Sequence, residues 1–241
     1  MAGASDIGRR RKTNQDSLFF DEVQGLGVVA DGIGGRNSGE IASALVVDGV
    51  KQGFLDTDRI RHEEVSAFLI TTVERLNREI ISRGKEHETE RGMGTTVNCV
   101  FFGGERIHIA HVGDSRTYLY FQGGIWQLTI DHNVREFRRR GLLSESQISA
   151  GAGVKEGALT RALGLTEQCD VDLYDMELQP GQIFITCSDG LTGMVDDRKI
   201  ARIVREHERD LKNIPKALID AANKAGGVDN ITILVSQVRG D

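Results

Sequence analysis

The sequence feature that most constrains this chain is an apolar run that ends in an acid followed by glycines. It spans Val28 to Gly35 and reads VVADGIGG. The pattern predicts a buried strand that delivers one carboxylate to a site whose backbone a ligand can approach closely, because glycine has no side chain. We therefore expect Asp31 to be the hub of a cluster of acids drawn from across the chain, as at a metal or phosphate centre.

Length and composition favour one domain over residues 1–241. The 29 glycines among 241 residues are scattered at turns, which indicates many short strands. A net charge of -6 gives no basic footprint for nucleic acid or an anionic membrane, and no apolar run approaches the ~20 residues of a membrane span. Cys99, Cys169 and Cys187 show no C-x-x-C spacing, so a disulfide framework and a zinc knuckle are disfavoured. We expect a cytoplasmic monomer without nucleic-acid or membrane partners.

Hydrophobic periodicity separates helical from strand segments. Helices are predicted at Ser38 to Gly53, with Ser38 as the cap, at His62 to Arg83, and at 197–208 and 213–225, and an exposed loop is predicted at 84–92. Strands are predicted at 17–21, 26–30, 94–102, 106–111, 115–121, 124–129, 170–177, 182–187 and 231–238, with those between 94 and 129 forming an antiparallel meander. Residues 131–164 lose the strand pattern and are predicted to form a mobile flap over the site. This order predicts an α+β sandwich with antiparallel sheets inside and helices outside.

Five acids share one local pattern, since each is placed at a predicted strand boundary and precedes a small or turn-forming residue. They are Asp16, Asp31, Asp114, Asp189 and Asp229. Asp before Gly, Ser or Asn is also a common turn-former, so each acid alone could simply mark a turn. Three of the five follow deeply apolar runs, which surface turns do not need, and this favours a shared buried site.

Converging carboxylates repel one another, so they must protonate or bind a cation. Oxygen ligands favour a hard divalent ion, Mg²⁺ or Mn²⁺, and the Gly32 carbonyl could join them. Zinc is disfavoured because His108 and His111 should face opposite sides of one strand. Two ions sharing Asp31 would activate a bridging water, and Arg11 could hold two phosphate oxygens. The implied reaction is metal-assisted hydrolysis of a phosphoester.

Other phosphate chemistries fail on spacing. Cys187 lacks the arginine six residues on that a cysteine phosphatase needs, and the glycines after Asp31 lack the Gly-Lys-Ser/Thr ending of a P-loop. Asp170 to Asp172 reads like an aspartyl-phosphate motif, but Gln168 and Cys169 before it make no apolar strand, so it is predicted to be a solvated strand start.

Six motifs, in order, resemble those of the metal-dependent (PPM, type 2C) Ser/Thr protein phosphatases of the bacterial single-domain type. They are RKTNQD from Arg11, VADGIGG from Val29, MGTT from Met93, HVGDSR from His111, CSDGL from Cys187 and DNIT from Asp229. The resemblance extends from residue 1 to about residue 238. It implies the α-β-β-α sandwich of that family, with a Mn²⁺ or Mg²⁺ centre at one end.

The resemblance also implies roles for individual residues. Asp31 would bridge two ions, Asp189 and Asp229 would bind the first, and the Gly32 carbonyl would bind the second. In addition, Asp16 would act through water, Arg11 would clamp the phosphate, and Asp114 would hold a third ion together with Asp189. The family hydrolyses phosphoserine and phosphothreonine in proteins, the products of Ser/Thr kinases, with a metal-bridging hydroxide and no phosphoenzyme.

The chain departs from the family pattern where a proton donor is expected. Ile33 and Arg36 stand at positions where relatives carry histidine, so our hypothesis is that water protonates the leaving group, with His132 in the predicted flap as the competing candidate. Two alternative functions remain open, a catalytically silent phosphoprotein-binding domain on this fold and a hydrolase of small phosphoesters.

Overall fold

Two antiparallel sheets lie at the centre of the protein. The structure, a computed structural model, describes residues 1–35, 38–55, 64–142 and 155–240. Within these residues the strands are β1 (Ala2–Asp6), β2 (Asp16–Asp21), β3 (Leu26–Ile33), β4 (Gly94–Thr95), β5 (Val97–Gly103), β6 (Arg106–Val112), β7 (Arg116–Phe121), β8 (Gly124–Gln127), β9 (Asp172–Glu177), β10 (Ile183–Cys187) and β11 (Ile231–Gln237). The first sheet has the order β1-β11-β10-β7-β8, and the second has the order β2-β3-β5-β6-β9 with β4 paired to the end of β3.

The helices cover the outer faces of the two sheets. They are α1 (Ser38–Leu55), α2 (Val65–Glu86), α3 (Val134–Arg139), α4 (Asp189–Thr192), α5 (Asp197–His207) and α6 (Asn213–Lys224). The long helices α1 and α2 lie on the second sheet, and α5 and α6 lie on the first. No helix in the described part of the chain combines the length and apolar character needed to cross a membrane.

Alternation along the strands produces three separate apolar cores. On β3, Val28 packs toward α1 and α2, whereas Val29 packs between the sheets against Phe184 and Leu234. On β11, Ile233 packs toward α5 and α6. Successive side chains of a strand point to opposite faces, so a strand buried on both faces is apolar throughout. The predicted α-β-β-α sandwich is therefore confirmed.

The four predicted helices are present, but some of their ends differ from the predicted ends. The predicted stripe of α2 is buried along Val65, Leu69, Val73, Leu76 and Ile80, while His62, the predicted start, lies outside the described residues. The exposed loop predicted from residue 84 is wrong at its start, because α2 continues to Glu86. A short 3-10 turn follows at Glu88–Glu90. Lys85, near the end of α2, suits the negative end of the helix dipole.

The meander predicted from 94 to 129 is wrong in the middle. Strands β6 and β7 are consecutive but lie in different sheets, with β6 between β5 and β9 and β7 between β10 and β8. The crossing occurs at Gly113, whose φ of +115° favours glycine and whose missing side chain leaves room for Thr96. The chain therefore changes sheets directly before Asp114.

Strand β1 has no counterpart among the predictions. It pairs antiparallel with β11, from Ala2 opposite Val235 to Asp6 opposite Ile231. This pairing fixes the start of the segment that carries Arg11.

Candidate metal centre

The five predicted acids meet at one end of the sandwich. Asp16 and Asp31 lie directly opposite each other on β2 and β3. Asp114 follows β6, Asp189 begins α4 directly after β10, and Asp229 precedes β11. All but Asp16 line a cleft of about 450 Å³, whose described walls also include Arg11 and the Gly32 backbone.

Asp31 lies inside a strand, not at its end. The prediction that the strand stops at residue 30 is wrong, because β3 continues to Ile33 and pairs there with β4. Both backbone groups of Asp31 bond to Thr96: its N–H donates to the Thr96 hydroxyl at 2.9 Å, and its carbonyl accepts from the Thr96 N–H at 2.9 Å. The Thr95 hydroxyl also donates to that carbonyl. The MGTT segment thus fixes the backbone from which the hub carboxylate projects.

Gly32 is required by close packing. A side chain there would collide with the backbone of Gly39 and with the Gln15 carbonyl, to which the Gly32 N–H donates at 3.1 Å. The start of α1, the end of β3 and the approach to β2 therefore touch backbone to backbone beside Asp31 and Asp16.

Asp16 is buried behind the cleft. Its Oδ2 accepts from the Ser188 hydroxyl at 2.7 Å, whereas its Oδ1 is buried and has no hydrogen-bond partner in the described structure. Burial raises the pKa of Asp16 to about 6, and the charges of Asp189 and Asp229 act in the same direction. An orphaned carboxylate oxygen in such a place lacks the donor or cation that would satisfy it.

Three of the acids that line the cleft, Asp31, Asp114 and Asp189, show the same electrostatic conflict. Burial is the main reason that the pKa of Asp31 lies well above its ordinary value, and the charges of Asp16 and Asp189 raise it further. Burial is also the main reason that the pKa of Asp114 is raised to about 7, and the charges of Asp189 and Asp131 act in the same direction. The pKa of Asp189 is also raised by burial and then by Asp229. Burial and neighbouring negative charge thus both disfavour ionisation of these three carboxyls, so the cluster needs compensating positive charge.

Arg11 supplies part of that charge at the rim. One of its guanidinium nitrogens lies 2.5 Å from the Asp229 carboxylate, and this hydrogen bond raises the pKa of Arg11. About half of the Arg11 side chain is exposed, so the guanidinium remains accessible from the cleft. The cluster therefore has a cation at its mouth and none inside it among the described cleft-lining residues.

The residues fit a hard divalent cation. The donors are carboxylate and carbonyl oxygens, the orphaned Asp16 oxygen and the raised pKa values call for positive charge, and Gly32 leaves its backbone open to the cleft. No group of three or more acidic, His or Cys side chains in the described ranges is arranged to hold a metal ion by itself. Ions that keep several waters and take few protein ligands, as Mg²⁺ does, suit that arrangement.

No histidine within the described ranges lines the cleft. His108 and His111 lie on opposite faces of β6, near Phe101 on the helix side and near Ile130 on the other. His132 is 1% exposed and does not line the cleft; its Nδ1 accepts from the Gly113 N–H at 3.1 Å, and its Nε2 donates to Asp172 at 3.1 Å. Burial lowers the pKa of His132. These contacts give His132 a role in holding the Asp114 turn.

The strand start predicted at Asp170 to Asp172 is confirmed, because β9 begins at Asp172, but the Asp172 side chain is only partly exposed. It accepts from His132 and, at 2.9 Å, from Arg161, and so joins two segments that are distant in sequence. Sequence spacing offers no sign of these contacts, because both partners come from the irregular segment before β9.

Several residues that support the site were missed by sequence reasoning. Thr96 and Ser188 bind the backbone of Asp31 and the carboxylate of Asp16, and both belong to the quoted motifs. Asp131 is buried beside Asp114 and is clasped by two nitrogens of Arg116 at 2.8 and 2.7 Å. The HVGDSR motif was the available signal for Arg116.

Part of the cleft wall is apolar. It includes Ile33, Leu159 and Leu165, of which Leu159 belongs to the segment 131–164; the prediction that this segment forms a mobile flap stays a prediction. The middle of that segment, 143–154, and Arg36 lie outside the described residues.

Comparisons with known proteins agree with this architecture. The family model described as Protein phosphatase 2C matches residues 2–217. The serine/threonine phosphatase Stp of Listeria innocua is 34% identical over 236 residues, which cover 96% of this chain and 92% of the relative.

Solved structures show the same fold. The S. agalactiae serine/threonine phosphatase is 35% identical with a TM-score of 0.87, and the match covers 98% of each chain. The catalytic domain of the serine/threonine protein phosphatase PstP, solved with two manganese ions, is 30% identical with a TM-score of 0.85 over 99% of this chain and 97% of that one. Because the family model and these relatives span nearly the whole sequence, the chain belongs to the protein phosphatase 2C family.

Proposed function

We propose that this protein hydrolyses phosphoserine and phosphothreonine in proteins, using Mn²⁺ or Mg²⁺ bound by the acid cluster. The observation that carries the proposal is the convergence of Asp31, Asp114, Asp189 and Asp229 on one cleft beside Arg11. The relatives support it, since the Listeria innocua protein is named a serine/threonine phosphatase and the PstP structure contains two manganese ions.

Each acid would have a different role in binding the ions. Asp31 would be shared by two ions, with Asp189 and Asp229 on the first and the Gly32 carbonyl on the second. Asp16, which lies behind the cleft, would act through water, and Asp114 with Asp189 would suit a third ion. When bound, the ions supply an activated water as the nucleophile and offset the negative charge of the phosphate.

Arg11 orients the phosphate, because a guanidinium can donate to two phosphate oxygens at once. In the reaction, a water oxygen would bond to phosphorus and release a proton while the bond from phosphorus to the Ser or Thr oxygen breaks, and the leaving oxygen would gain a proton from water, which gives inorganic phosphate and the free hydroxyl. No Ser or Cys is among the described residues that line the cleft. Burial raises the pKa of Cys187 to about 12, which removes it as a thiolate nucleophile. These features favour direct hydrolysis without a phosphoenzyme.

We also propose that the chain acts as a monomeric single domain in the cytoplasm, on proteins phosphorylated by a Ser/Thr kinase. The segment 131–164 would then be a mobile flap beside the substrate. Leu159 at the cleft wall supports that placement.

Phosphate release from a phosphothreonine peptide by the purified protein tests the proposal. Turnover should require Mn²⁺ or Mg²⁺, stop in EDTA, and fall about 100-fold or more in Asp31→Asn. Asp220→Asn, on the exposed face of α6, is the matched control and should retain turnover. Faster hydrolysis of a nucleotide than of the peptide would instead indicate a small-phosphoester hydrolase. Peptide binding without turnover under any divalent metal would indicate a silent phosphoprotein-binding domain.

A further inference from the structure

Asn230 links the acid cluster to the segment that carries Arg11. It is 4% exposed and stands between Asp229 and the start of β11. Its side-chain nitrogen donates to the Ile7 carbonyl at 2.9 Å and to the Thr13 carbonyl at 3.0 Å. These two carbonyls flank residues 8–12, so one amide group closes both ends of the turn.

The same side chain reaches the strand that carries Asp16. Its Oδ1 accepts from the Gln15 N–H at 2.9 Å. All three hydrogen bonds of the Asn230 side chain therefore go to backbone between Ile7 and Gln15. None of them goes to the carboxylates that line the cleft.

The turn has some further support near its start. The Gly8 N–H donates to the Asp6 carboxylate at 2.8 Å, the Arg9 N–H donates to the Gly227 carbonyl at 2.7 Å, and residues 8–10 form a turn, whereas residues 11–13 belong to no helix or strand. The Arg11 side chain is about half exposed and ends at Asp229. A long side chain on a turn whose two ends were not held together would sample more positions, and ordering it only when phosphate binds would weaken binding.

We propose that the Asn230 amide is the positioning residue for Arg11. By closing the turn at Ile7 and Thr13, it holds the guanidinium over the cleft before phosphate arrives. This inference rests on the proposed function for the role of Arg11. Asn230 touches no substrate atom and acts through the backbone of the turn.

A double-mutant cycle between Asn230→Ala and Arg11→Ala tests the inference, read out both by the kinetics of phosphothreonine peptide hydrolysis and by calorimetric binding of inorganic phosphate. Asn230→Ala should lower kcat/KM about tenfold, chiefly through a higher KM, and weaken phosphate binding by a similar factor. In the Arg11→Ala background the same change should have less than about a twofold effect, because the group it positions is already absent.

Asn77→Ala is the matched control. Asn77 is 1% exposed and also makes three hydrogen bonds to backbone, to the Thr166 and Glu167 carbonyls and from the Gly164 N–H. It should lose comparable stability, and its effect on kcat/KM should be the same with and without Arg11. If Asn230→Ala folds poorly, Asn230→Ser, which keeps one donor, should show a smaller coupling in the same direction.

The outcomes separate the two claims. Equal losses from Asn230→Ala in both Arg11 backgrounds overturn the positioning role, as does a loss fully explained by weaker Mn²⁺ binding measured in the same calorimeter. Failure of the wild-type protein to hydrolyse the peptide with any divalent metal overturns the proposed function instead. In that event the phosphate affinities of the wild type and of the three variants of the cycle still decide whether Asn230 acts through Arg11.

Discussion

Replacing Asp16 by asparagine should stabilise the metal-free protein at neutral pH. Burial raises the pKa of this carboxyl from 3.8 to about 6 in the folded state. A group whose pKa is raised on folding contributes stability below its unfolded pKa and loses it as pH rises through the folded value. The difference corresponds to roughly 3 kcal/mol, lost by the wild type between about pH 4 and pH 7. The amide introduced by Asp16→Asn does not ionise, so the variant escapes this loss.

Urea unfolding in EDTA at a series of pH values from about 4.5 to about 8 measures the effect. The free energy of unfolding of the wild type should fall relative to Asp16→Asn as pH rises, and at the upper end of the series the urea midpoint of the variant should be higher by about 1 M or more. Asp220→Asn, exposed on α6, should follow the wild-type curve. Added Mn²⁺ should stabilise the wild type more than the variant. A stability difference between wild type and Asp16→Asn that does not change with pH would refute the reasoning.

Three further substitutions test the surrounding structure. Gly32→Ala should destabilise the protein by about 3 kcal/mol or more, because its added carbon fills space taken by neighbouring backbone, whereas Gly35→Ala enters open space and should leave the melting temperature nearly unchanged. Thr96→Val should lower kcat/KM about tenfold through loss of the hydroxyl that holds the Asp31 backbone, and Thr96→Ser should restore most of it; equal activity of the Val and Ser variants would contradict that role. His132→Ala should keep the shape of the pH–rate profile while losing stability, and loss of one limb of the profile would instead identify His132 as the proton donor.

The hub of the site was predictable because its signal is local. An apolar run before Asp31 indicates a buried strand, and the same sign precedes Asp114 and Asp189. Side chains alternate between the two faces of these strands, and this also predicts the sandwich. Val28 and Val29 are both apolar because they pack into two different cores. The hydrophobic period and the apolar character of a buried run depend on residues that are adjacent in sequence, so both can be read from the sequence directly.

Features that depend on distant partners were not predictable. Strand β1 is a short, weakly apolar segment whose stability comes from pairing with β11 at the other end of the chain. The extension of β3 past Asp31 depends on its pairing with β4, and the change of sheet at Gly113 depends on packing against Thr96. These are tertiary contacts, which override local preference.

The side chains that support the site also depend on distant partners, so they were not predictable from the sequence. Ser188 lies next to a predicted metal ligand, yet only the fold brings its hydroxyl to Asp16. Asn230 likewise reaches Ile7 and Thr13 across the whole length of the sequence. Motif spacing identified the acids, and the structure was needed to find what holds them.

Calorimetric titration of Mn²⁺ into the wild-type protein and into Asp31→Asn tests the central claim most directly. If Asp31 is the shared ligand of a two-ion centre, the wild type should bind two ions, and the variant should lose both or bind them about 100-fold more weakly or worse. Two ions bound by Asp31→Asn with wild-type affinity would contradict the account.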